Sequence, residues 1–207
     1  MKTLTKEMQN AISPQMALEL LKDGNKRFIN NLKVNRNLLQ QANETSDGQH
    51  PFAVILSCID SRTSAELIFD QGLGDVFSVR IAGNVVNEDI LGSMEFGCKV
   101  AGAKIIVVLG HTKCGAVKGA CDNVALGNLT GLIDKIKPSV EKETNTIANR
   151  NSSNSIFVEN VAALNVQHSV EMILDKSTII AEMVSNGEIM IVAGVHDITT
   201  GEVKFFE

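Results

Sequence analysis

Apolar residues recur at helical spacing early in the chain. Ser13-Pro14 is a helix-start pair, after which Ala17, Leu20, Leu21, Gly24, Phe28 and Leu32 share one face and predict an amphipathic helix. Residues 35–50 are polar and aperiodic, which predicts a loop. It leads into residues 52–57, a short unbroken apolar run typical of a strand covered on both faces. Thr63-Ser64-Ala65-Glu66 has capping-box spacing and predicts a short helix ending near Gly72, followed by a strand at 76–81. Asn87 is placed to cap a helix carrying Ile90, Leu91, Met94 and Cys98, which Ala101-Gly102 ends before a strand at 104–109.

Beyond Cys114 the pattern is helical to about Cys121, then over 129–142 with Pro138 as an interruption. Residues 144–155 are polar and loop-like, and 156–174 predict a long helix. A strand at 189–196 turns through Thr199-Thr200-Gly201 into 202–206. Alternating strands and helices predict an α/β fold, with a central, mostly parallel sheet of about four to five strands flanked by helices. A helical arm (residues 1–34) precedes this sheet and an antiparallel edge hairpin closes it, all within one domain spanning 1–207.

Charge narrows the partners. Nineteen basic against 24 acidic residues give a net charge of −5, and no Lys/Arg run could track a phosphate backbone, so no nucleic-acid partner is expected. The N-terminus lacks an apolar leader and no apolar run could span a bilayer, which predicts a cytoplasmic protein without a membrane partner. In that reducing compartment the four cysteines, Cys58, Cys98, Cys114 and Cys121, suit metal binding or catalysis better than disulfides.

Ligands of open parallel sheets gather beyond the carboxyl ends of the strands. The first predicted strand runs into Cys58-Ile59-Asp60-Ser61-Arg62 and the third into His111-Thr112-Lys113-Cys114. Two thiols and one imidazole make a donor set for a catalytic Zn²⁺ with its fourth position open, and because His111 comes 53 positions after Cys58 the sheet must assemble it. Taken singly, either cysteine reads as an inert small hydrophobe, and Cys98 and Cys121, inside predicted helices, read as buried. His50, His168 and His196 have no companion ligands nearby in sequence and read as ordinary surface or core histidines. Gly110 and Gly115 have the spacing that opens a phosphate-binding loop, but Ala116-Val117 stands where Lys-Ser/Thr is needed.

CIDSR at 58–62 and HTKC at 111–114, with GQHP at 48–51 and RIAGN at 80–84, resemble the β class of carbonic anhydrases. The resemblance implies zinc held by Cys58, His111 and Cys114, and a catalytic pair of Asp60 and Arg62. It implies hydroxide on zinc attacking carbon dioxide to give bicarbonate and a proton, with Arg62 orienting Asp60 to accept the hydroxide's hydrogen. Gln49 falls where the family places an amide donor to substrate, Phe77 where some members wall the pocket across a dimer interface, and Gly115 is assigned to the substrate side. The resemblance also implies a homodimer or tetramer, and a closed state, gaining as pH falls, in which Asp60 leaves Arg62 for zinc's fourth position. Phe96 stands where many members have Tyr, and because the chain has neither Trp nor Tyr, the regulatory bicarbonate pocket that some bacterial members build with them is not carried over. The alternatives are a zinc-binding scaffold without catalysis and a hydrolase of another small carbon dioxide analogue.

Overall fold

Ser13 accepts a hydrogen bond from the Met16 amide and Pro14 fills the first helical turn, so the arm helix starts where its sequence predicts. The structure is a computed structural model that describes residues 3–206. Its arm comprises α1 (Lys6–Ala11), α2 (Pro14–Ile29) and α3 (Leu38–Glu44). Next come β1 (Ala53–Ser57), α4 (Ala65–Ile68), β2 (Val76–Arg80) and α5 (Glu88–Glu95), which continues as a π-helical turn over Phe96–Val100. The strand β3 (Ile105–His111) leads to α6 (Gly115–Cys121), α7 (Gly127–Asp134) and α8 (Lys137–Lys142). The chain ends with α9 (Ser155–Lys176), α10 (Thr178–Ser185), β4 (Met190–His196) and β5 (Val203–Phe206).

The five strands lie in the order β2-β1-β3-β4-β5, parallel except for the β4–β5 hairpin. Every residue of β1 and β3 is buried, as an unbroken apolar run between two helical layers requires. One face packs Val54, Leu56, Ile106 and Val108 against α5, α9 and α10. The other packs Ile55, Ile105 and Val107 against α2 and α4.

The outcome departs from the sequence pattern at several places. Leu20 and Leu32 are exposed, and the buried face of α2 is Ala17, Leu18, Leu21, Gly24 and Asn25. Gly24 is there because a Cβ would stand 1.8 Å from the Phe69 carbonyl oxygen, so only glycine lets α2 approach α4 this closely. Residues 35–50 are not all loop: α3 forms there, capped by Asn37, yet it buries Gln41 and exposes Leu38 and Leu39, so it carries no apolar signal. The Thr63–Glu66 capping box does not form, because the Thr63 hydroxyl turns back to the Cys58 and Asp60 carbonyls, and α4 stops at Ile68. The interruption expected at Pro138 falls at 135–136, between α7 and α8, and Pro138 itself sits in the first turn of α8.

A buried ion cluster ties the arm down. Asp70 accepts from Arg27 Nε and Arg36 Nη1, each at 2.5 Å, and from the Val34 amide. Burial pushes its carboxyl up, but these hydrogen bonds outweigh it and hold the group below the ordinary carboxylate range. Its folded-state pKa therefore lies below its unfolded value near 4, so the contribution is complete above about pH 4 and is lost as pH falls through the folded-state value. Asp70→Ala should cost about 3–5 kcal/mol by stranding two arginines, and calorimetry should find Tm lowered by roughly 10 °C. An unchanged Tm would mean that the cluster does not hold the arm.

Candidate active site

From β1 the chain moves outward to β2, then returns to place β3 on the other flank of β1, so its direction across the sheet reverses between β1 and β3. The helices leaving the two strand ends part to opposite faces at such a switch point and open a crevice beyond the carboxyl ends. Cys58 follows the last residue of β1 and His111 is the last residue of β3. Cys114 follows after a tight turn in which Lys113 takes a left-handed φ of 58°. Glu159 of α9 accepts the Lys113 amide at 2.9 Å, and Thr112 Oγ1 accepts the Ile198 amide, so the turn is held from two sides.

The donor atoms of Cys58, His111 and Cys114 all lie within 4.8 Å of one another, and all three residues are buried. Ligands 2.0–2.3 Å from a tetrahedral zinc ion stand roughly 3.5–3.8 Å apart, so small side-chain rotations suffice. The imidazole is preset: Nδ1 lies 2.9 Å from the Thr112 carbonyl oxygen, which puts the proton there and leaves the Nε2 lone pair, buried and without a hydrogen-bond partner among the described residues, for a metal. The Cys58 thiol is lowered to about 4, first by the hydrogen bond from Cys114, then by His111 and by backbone donors that include Gly83. The same hydrogen bond, with burial, pushes Cys114 up, and the Val117 and Ala116 amides offset part of that rise. An orphaned imidazole nitrogen facing two sulfurs fits zinc, and the residues present suit no harder ion.

Asp60 and Arg62 form the predicted pair at the mouth of the crevice. Arg62 Nε donates to Asp60 Oδ1 at 2.9 Å, Nη2 donates to Oδ2 at 2.7 Å, and the Arg62 amide also reaches Oδ1 at 2.9 Å. These bonds hold the Asp60 carboxyl far below the usual carboxylate range. The carboxylate is thus paired with Arg62 and stands outside the group of Cys58, His111 and Cys114.

The other expected residues are spread out. Gly115 opens α6 beside Cys114, exposed, with open space where a Cβ would stand. Phe77 lies at mid-strand on β2, in register with Val54, and meets Phe96 edge-on at 6.2 Å. Gln49 precedes β1, next to Gly74, so it stands at the amino end of the strand whose carboxyl end carries Cys58. One copy of the chain does not bring Gln49 to the crevice. Cys98 and Cys121 are buried in helices apart from the donor group, and burial raises them to about 12 and about 11.

A carbonic anhydrase family model matches residues 53–203. The chain is 36% identical over 195 residues to the carbonic anhydrase of Mycolicibacterium smegmatis, covering 93% of each. In fold it is similar to the β-carbonic anhydrase CafA of Aspergillus fumigatus, with a TM-score of 0.69, 26% identity and coverage of 82% of this chain and 81% of that one. It is similar too to tetrameric β-carbonic anhydrases of Sordaria macrospora, with a TM-score of 0.69, 23% identity and coverage of 79% and 84%. The chain belongs to the β-carbonic anhydrase family. Its reaction is the zinc-dependent hydration of carbon dioxide.

Within this carbonic anhydrase, the RIAGN turn acts on the metal donors in a way its sequence does not declare. The Gly83 amide points at Cys58 Sγ, 3.4 Å away, from a left-handed φ of 68°. That φ and a Cβ that would stand 2.6 Å from Ile136 Cδ1 and 3.2 Å from Ala116 Cβ both favour glycine at this turn. The long helix α9 secures it: Asn165 donates to the Gly83 carbonyl and Ser169 to that of Asn84. His196 needs correction. It is a buried histidine, but β4 sets it in register with His111, so it neighbours the centre that it is remote from in sequence. Burial, then the nearby His111, lowers it to about 4, and it stays neutral there. His168 is the ordinary half-buried histidine expected, 3.7 Å from Glu171.

Proposed function

We propose that Cys58, His111 and Cys114 hold the zinc ion and that Asp60 and Arg62 handle the proton in carbon dioxide hydration. The junction of three buried metal donors with a carboxylate locked two positions from one of them carries this reading. When bound, zinc supplies a water molecule acidic enough to act as a nucleophile near neutral pH. An ionised carboxylate offers about four lone-pair positions. Arg62 fills two on Oδ1 and one on Oδ2, which leaves a single acceptor position, on Oδ2. That oxygen accepts the hydrogen bond from the nucleophile's O–H and so turns the nucleophile's lone pair toward the substrate carbon. The arginine also keeps Asp60 ionised, so the group accepts at neutral pH and does not donate. Gly115 and Phe77 border the substrate. The free thiols and the lack, among the described residues, of any helix able to cross a membrane support a cytoplasmic setting.

Self-association completes the site in this reading. The strand β2 is the sheet edge, and Phe77, Val79, Arg80, Gly92 and Phe96 line a groove of about 830 Å³ along it. A two-fold axis there runs two β2 strands antiparallel and sets the amino end of one beside the carboxyl end of the other. Gln49 of one copy then lies on the side of its neighbour's Cys58–Arg62 segment, where an amide could hold a substrate oxygen. Phe96→Glu, which puts a charge into the groove, should give a monomer by light scattering and a large loss of activity; a fully active monomer would refute the shared site. The chemistry itself is tested by stopped-flow hydration of carbon dioxide. Turnover should vanish on chelation and return with zinc, whereas full metal content without turnover would overturn it.

A further inference from the structure

The segment that joins the metal donor Cys58 to Asp60 lies outside any regular element. The last ladder bond of β1 is made by the Ile81 amide to the Ser57 carbonyl, and Ile59 is 61% exposed, so packing does not set the path between. Two residues hold it by its carbonyls. Arg80, the final residue of β2, donates from Nε to the Cys58 carbonyl at 3.0 Å and from Nη2 to the Asp60 carbonyl at 2.6 Å. Thr63 donates from its hydroxyl to the same two carbonyls, at 3.3 and 3.0 Å, and from its amide to that of Asp60.

We propose that Arg80 is a positioning residue which, with Thr63, clamps the Cys58 and Asp60 carbonyls and thereby fixes where the Asp60 carboxylate stands relative to the metal donors. The inference rests on the reading of Asp60 as the proton acceptor. A planar guanidinium spans two carbonyls that flank one exposed residue, while an ammonium serves only one of them at a time. Its charge strengthens both bonds, and peptide rotation about Ile59, which would swing the carboxylate, must break them. Misplacement of a reacting group by about 1 Å is enough to cost on the order of 100-fold in rate.

The test is Arg80→Ala and Arg80→Lys in the zinc-loaded enzyme, read by zinc content, kcat and KM separately, and amide hydrogen exchange at Arg62 and Thr63. Arg80→Ala should keep its zinc, lose roughly 10- to 100-fold in kcat with KM little changed, and exchange the Arg62 and Thr63 amides faster. Arg80→Lys should recover little, and millimolar methylguanidine should restore part of the Arg80→Ala loss. In an Asp60→Asn background Arg80→Ala should cost less than about twofold more, since the carboxylate it positions is gone. A normal kcat, a loss explained by missing zinc, or an equal cost in both backgrounds would each overturn the clamp. The readings fail separately: a fully active Asp60→Asn removes the assignment of Asp60, whereas an impaired Asp60→Asn beside a normal Arg80→Ala removes the clamp alone.

Discussion

Cys58→Ser should yield a folded protein that retains little zinc after dialysis and hydrates carbon dioxide at least about 1,000-fold more slowly. Zinc binding by a closed protein site is worth about 10–16 kcal/mol, so one ligand of the set carries roughly 3–4 kcal/mol, or two to three powers of ten in affinity. A serine hydroxyl does not replace a thiol that this environment already lowers to about 4. The loss should appear in metal content by atomic absorption and in activity together, and excess zinc should recover only part of it. Cys98→Ala is the control: its thiol is raised to about 12 inside the core, so the change should lower stability slightly and leave metal and turnover unaltered. Equal zinc retention by Cys58→Ser and the parent would withdraw Cys58 as a ligand.

Asp60→Asn should retain zinc yet lose about 100- to 10,000-fold in kcat, the range of a lost positioned proton acceptor. The amide keeps the shape but loses the charge that Arg62 binds in a fork, and half of its acceptor capacity. Arg62→Ala acts on the same device from the other side. It empties two of the carboxylate's four positions, one on each oxygen, and leaves only the backbone amide of residue 62 on Oδ1, so Asp60 loses its orientation and is free to turn toward the metal donors. Its activity should fall by roughly 10- to 100-fold across the whole pH range, with zinc retained. The double variant should be no slower than Asp60→Asn alone, because both changes disable one unit. Additive losses in stopped-flow assays would show that the two residues act separately.

The buried strands and the caps were legible in the chain because each is a local cause. Unbroken apolar runs mark β1 and β3, and Ser13-Pro14 and Asn87 cap their helices as the residue types require. The helix α3 was not legible, since it buries a glutamine and turns its leucines outward. Thr63 misled in the opposite sense: its spacing to Glu66 is that of a cap, but two carbonyls left free by the end of β1 compete for the hydroxyl and win.

For the candidate site, the chemistry was legible in the residue types. The types and spacing of Cys58, Asp60, Arg62, His111 and Cys114 name a metal donor set and a paired carboxylate, because donor softness and charge belong to the residues wherever they lie. The geometry was not legible there, because sheet order and register are long-range facts. The order β2-β1-β3 puts the chain reversal between Cys58 and His111, parallel pairing seats His196 beside His111, and α9 presses the Gly83 amide toward Cys58. Gln49 shows the same division: its amide is a donor by type, but the length of β1 sets it at the wrong end of the strand to serve its own copy's crevice.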